Sequence, residues 1–121
     1  MEQELILNNE NITLQDLYNV AVNNYKVTLG NEAIKKINDS RMIVDELIKN
    51  TNITYGITTG FGSLKDKVIS VEDLERLQHN LIESHAIGTG DPAPPYIVRS
   101  MFLLRLCCII KGNSGVRLSI A

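Results

Sequence analysis

From Pro95 to Lys111 the chain offers a helix with almost no polar side. Pro95 suits the first helical position, and Gly112 suits the C-terminal cap. Between them Ile97, Val98, Met101, Phe102, Leu103, Leu104, Leu106, Cys107, Cys108, Ile109 and Ile110 surround the axis. Arg99 and Arg105 interrupt the run, which falls short of the roughly 18 uninterrupted apolar residues of a membrane span. A helix apolar all round must be buried all round. The remaining apolar segments are too few to cover it, so several of Ile97, Met101, Phe102, Leu104, Cys108 and Ile109 are expected to stay exposed. Ser114-Gly115-Val116-Arg117 reads as the start of another helix with no cap before Ala121. Both features predict a piece of a larger domain.

The rest of the chain reads as mainly α-helical with a few short strands. Leu5-Ile6-Leu7 predicts a brief strand. Thr13-Leu14-Gln15-Asp16 places a hydroxyl at a helix cap and a carboxylate three residues on. A helix of about ten residues should follow, with Leu14, Leu17, Ala21 and Tyr18 inward. Tyr25 to Leu29 alternates as a strand does and stops at Gly30. A helix over 32–49 places Ile34, Ile37, Val44, Leu47 and Ile48 on one stripe. Lys65-Asp66-Lys67 predicts a polar turn, and Ser70 to Asp73 repeats the capping pattern. The helix it opens, ended by Gly88, puts Leu74, Leu77, Leu81 and His85 on one face and His79 on the charged one.

Composition narrows the function classes. Twelve basic residues face fourteen acidic ones with no basic cluster, which gives no footprint for nucleic acid or an anionic membrane. Met1-Glu2-Gln3-Glu4 is acidic where a secretory signal is basic, so a cytoplasmic protein is expected. Cys107 and Cys108 are adjacent, which suits neither a structural disulfide nor a metal site. Both are expected reduced, buried and inert, and no metal is expected.

Tyr55-Gly56-Ile57-Thr58-Thr59-Gly60-Phe61-Gly62 is the densest glycine run. Three glycines in so short a loop allow positive φ and close approach of a ligand to the backbone. A tight turn needs fewer glycines, and neither phosphate-loop nor dinucleotide spacing is present. This motif, followed by Ser84-His85-Ala86-Ile87-Gly88-Thr89-Gly90 and then Lys111-Gly112-Asn113-Ser114-Gly115-Val116-Arg117, resembles the N-terminal part of the aromatic amino acid ammonia-lyases. Within that family the likeness is greatest to the histidine ammonia-lyases, and it runs from about Leu5 to the last residue.

The resemblance implies a larger helical-bundle lyase fold, with residues 1–121 as its N-terminal portion. It implies a homotetramer with sites shared between subunits, eliminating ammonia from L-histidine to give urocanate. Tyr55 is then the base that takes the β-proton. A phenol ordinarily titrates near about 10, so such a base needs a site that favours phenolate; a packing tyrosine is the plain alternative. His85, near a helix C-terminus, would line the substrate's ring pocket, or else be a core histidine with one backbone partner. Gly62 would open the loop backbone to substrate, or simply serve a turn. Thr58 stands where the family usually has asparagine, and Cys107 and Cys108 where asparagine and serine are common. The family's electrophile, a methylidene-imidazolone (MIO), forms from Ala-Ser-Gly, which these residues lack. The rival readings are a tyrosine- or phenylalanine-directed lyase or aminomutase, and a non-catalytic interaction domain.

Overall fold

The computed structural model describes residues 3–8, 10–50, 53–62, 65 and 67–121. Met1, Glu2, Asn9 and the middle residue of the expected turn, Asp66, lie outside the described residues. The fold is mainly helical, in the order β1 (Glu4–Leu7), α1 (Leu14–Ala21), β2 (Lys26–Leu29), α2 (Asn31–Lys49), α3 (Val71–His85) and α4 (Pro95–Ile109). A single turn of 3-10 helix follows at Leu118–Ile120. Residues 1–42 and 92–121 form one compact unit, and residues 43–91, inserted between them in sequence, form a second.

In the first unit β1 and β2 pair in parallel, with Glu4 opposite Lys26 and Leu7 opposite Leu29. Parallel neighbours need a crossover, and α1 supplies it. Thr13 caps α1: its Oγ1 accepts from the Asp16 amide at 3.1 Å, while Asp16 Oδ2 accepts from the Thr13 amide at 2.8 Å. The face of α1 that turns inward carries Leu17, Val20 and Ala21, because α1 packs on α4. Leu14 and Tyr18, expected inward, are 85% and 53% exposed, at the first turn and on the flank. Arg99 of α4 reaches across to donate from Nε to Val20 O at 2.8 Å and from Nη2 to Tyr25 O at 3.4 Å. It thereby satisfies a carbonyl that the end of α1 leaves without a helical partner.

The core of this unit gathers Leu7, Val20, Ala33, Ile37, Leu103, Ile109 and Ile110. Ile37 lies on the expected α2 stripe, and Ile34, Val44, Leu47 and Ile48 are half-buried along it. Gly112 takes φ +76° past the end of α4, where an added Cβ would lie 3.0 Å from Lys36 O. Helix α4 is therefore seated against the α2 backbone at its C-terminal end, which is why Ile109 is buried. The other five residues of that set, Ile97, Met101, Phe102, Leu104 and Cys108, are exposed, so several apolar side chains of α4 do stay uncovered.

Ser114 to Arg117 does not begin a helix. The Gly115 amide donates to Ser40 Oγ at 2.8 Å, Arg41 Nη1 donates to Gly115 O at 3.3 Å, and Gly115 takes φ +63°. These ties to α2 hold the segment extended. The cysteines also differ from expectation: Cys107 is half-buried and Cys108 is exposed. Among the described residues no helix is long and apolar enough to cross a membrane.

Candidate functional site

The glycine loop and α3 belong to the second unit. The loop opens with a closed turn. Thr54 O accepts from the amides of Ile57 and Thr58 at 3.1 and 3.0 Å, and Thr58 Oγ1 accepts from the Thr54 amide at 2.9 Å. Tyr55 is the second residue of that ring. Beyond it Thr59 bridges Val68 antiparallel, flanked by Ile69 N–H to Thr58 O at 3.0 Å and Gly60 N–H to Lys67 O at 3.2 Å. Two of the three loop glycines use the left-handed region, Gly56 at φ +71° and Gly62 at φ +57°. Gly60 does not, but it is buried along with Thr58 and Thr59.

Tyr55 stands 64% exposed, with its ring edge-to-face on Phe61 at a centroid distance of 6.0 Å. The ring of Phe61 occupies the space above Gly56, where an added Cβ would meet Cε1 at 3.1 Å. Among the described residues nothing lies within 4 Å of a Cβ built on Gly62. The positive φ by itself accounts for that glycine, and Gly62 is exposed.

Helix α3 is capped by Ser70, whose Oγ accepts from the Asp73 amide at 3.2 Å. Leu74, Leu77 and Leu81 are half-buried on one face, and His79 pairs with Glu83 at 3.6 Å on the other. The helix ends at His85, three residues before Gly88. The peptide there leaves helical geometry at Ala86, with φ −78° and ψ 74°, before glycine is needed. His85 is exposed rather than buried in a core. Its Nδ1 lies 2.8 Å from Leu81 O and 3.0 Å from Ser84 Oγ. A carbonyl oxygen only accepts, so Nδ1 carries a proton, and in the neutral tautomer with that proton Nε2 is an acceptor.

Gln78 joins the loop to this helix by donating from Nε2 to Gly56 O at 3.4 Å. It precedes His85 by seven residues, about 10 Å of helical rise. Tyr55, Gly62 and His85 are thus carried by one unit on elements that touch, with the Gly56–Gln78 contact as the link. Gln78 and Phe61 were not singled out by the sequence, since a glutamine on a charged helix and an aromatic beside glycine carry no signal of their own. Among the described residues no three His, Cys, Asp or Glu side chains cluster as metal ligands do.

Residues 12–121 match the aromatic amino acid lyase family. The chain belongs to that family. A histidine ammonia-lyase of Caldanaerobacter subterraneus subsp. tengcongensis is 46% identical over 96% of this chain, and the match spans 23% of that enzyme. Among solved structures, the ergothioneine-degrading ergothionase of Treponema denticola superposes with TM-score 0.91 at 30% identity, covering 98% of this chain and 24% of that one. The histidine ammonia-lyase of Trypanosoma cruzi gives TM-score 0.86 at 33% identity, over 97% and 22% of the two chains. The chain therefore spans about a quarter of the length of the relatives that it matches.

Proposed function

We propose that these residues form the N-terminal segment of a longer lyase that eliminates ammonia from L-histidine to give urocanate. In this reading Tyr55, as phenolate, removes a proton from the substrate's β-carbon. The C–H pair becomes the new carbon–carbon double bond, and the α-amine leaves with the electrons of its C–N bond. The open backbone at Gly62 admits the substrate beside Tyr55. The MIO that an Ala-Ser-Gly forms in such enzymes supplies the electrophile for the amine, and no residue of this chain is assigned to it. Shared sites in a homotetramer would supply the remaining substrate contacts, and the exposed face of α4 is suited to being covered in such an assembly. An amino acid substrate and a charge-balanced chain fit a cytoplasmic enzyme.

The observation that carries the histidine reading is His85. Its Nδ1 is committed to Leu81 O, so Nε2 offers an acceptor to a ring that bears an N–H. Imidazole has that donor and phenyl does not. The experiment uses the full-length protein bearing this segment and follows urocanate by its ultraviolet absorbance. Tyr55→Phe should keep the fold and lower kcat by about 10²–10⁴-fold. His85→Phe should weaken histidine turnover far more than it weakens folding. A Tyr55→Phe enzyme that keeps a tenth of normal kcat removes Tyr55 from the mechanism. If histidine is not consumed, the likeness to ergothionase makes ergothioneine the next substrate to assay.

A further inference from the structure

We propose that Thr58 is the positioning residue for Tyr55. The inference rests on the reading of Tyr55 as the base and adds to it the device that aims the phenol.

Tyr55 lies in a glycine-rich stretch, where a free chain would sweep its side chain through many directions. The ring of hydrogen bonds from Thr54 to Thr58 removes that freedom. Thr58 closes it twice, donating its amide to Thr54 O at 3.0 Å and accepting the Thr54 amide on Oγ1 at 2.9 Å. Its carbonyl accepts from the Ile69 amide, so the same residue also fastens the turn to the strand-like segment that follows. Thr58 is only 5% exposed, so water does not readily replace its hydroxyl. The side chain of Tyr55 can then swing only about its own bonds, with Phe61 against one edge.

This accounts for a polar residue buried in the loop that bears the base. Valine would match threonine in shape and branching while deleting the acceptor. If the hydroxyl were needed only for folding, its loss would lower stability and leave the surviving enzyme unchanged. If it aims the base, its loss falls on the chemical step, since misplacing a reacting group by about 1 Å costs on the order of 10²-fold.

The test is a double-mutant cycle in the full-length enzyme, with Thr58→Val, Thr58→Ser, Tyr55→Phe and the pair Thr58→Val/Tyr55→Phe. Far-UV circular dichroism checks that each is folded. Expected are a kcat lower by about 10- to 100-fold in Thr58→Val with KM for histidine within about twofold. Thr58→Ser should recover most of the loss. On the Tyr55→Phe background Thr58→Val should cost nothing further, because the group that it aims is gone. Wild-type kcat in Thr58→Val, or the same loss with and without the Tyr55 hydroxyl, overturns the proposal. Full activity in Tyr55→Phe overturns the reading beneath it instead. Should Thr58→Val not fold, Thr58→Cys serves in the same cycle, since a thiol is a poor acceptor.

Discussion

Gly56 meets two independent constraints. Its φ of +71° disfavours any L side chain, and Phe61 fills the space that a Cβ would need. The left-handed conformation alone costs roughly 1–2 kcal/mol for alanine. Gly56→Ala should therefore lower stability by at least about that much, read from chemical denaturation, whereas Gly88→Ala, with open space around it and an ordinary φ, should be nearly silent. The two thiols of α4 should also behave differently. Burial pushes the Cys107 thiol up, the neighbouring Cys108 adds to the shift, and Lys111 only partly opposes them. Thiolate is the reacting form. Iodoacetamide at neutral pH should modify exposed Cys108 well before half-buried Cys107, as peptide mapping of a short time course would show.

At the scale of elements, the ends of helices were the most legible part of the sequence. Thr13 with Asp16, Ser70 with Asp73, and Pro95 with Gly112 each announce a local hydrogen bond or backbone constraint that needs nothing distant. Which face turns inward was less legible on α1, because eight residues make only two turns and Val20 is chosen by where α4 lies. The same limit applies to Ser114–Arg117, whose extended path is set by Ser40 and Arg41 some 75 residues earlier. In the candidate site, Tyr55 and Gly62 stood out through the motif, but the closing role of Thr58 lies in hydrogen bonds that no residue pattern declares. The α1 cap also carries a pH dependence. The Thr13 hydroxyl first, and its amide second, hold the Asp16 carboxyl below its ordinary value. A depressed folded pKa adds stability that is present above the unfolded value, about 3.9, and is lost as pH falls through the folded one. The protection of the Leu17 amide, whose N–H bonds Thr13 O, relative to its intrinsic exchange rate should fall on acidification below about pH 4, and Thr13→Ala, which keeps only the backbone bond to Asp16, should reduce that dependence.

Across the whole molecule, the side of α4 that carries Met101 and Phe102 is 65% and 73% exposed at those residues, with Leu104 and Tyr96 about half so. Apolar patches of this kind mark surfaces that associate. Sedimentation velocity on the 121-residue chain should show concentration-dependent association, and Met101→Lys with Phe102→Lys should suppress it without lowering the melting midpoint. The route of the chain has a further effect on how the protein is made. Residues 43–91 are contiguous and can take up their structure as soon as they leave the ribosome. The opening strand, helix and strand cannot complete their core, because Leu103, Ile109 and Ile110 have not yet been synthesised. At about 5–20 residues per second the insertion takes on the order of 2–10 s to translate. For that interval Leu7, Val20 and Ile37 are a nascent surface without its other half, and anything that shields a growing polypeptide has its reason to act there.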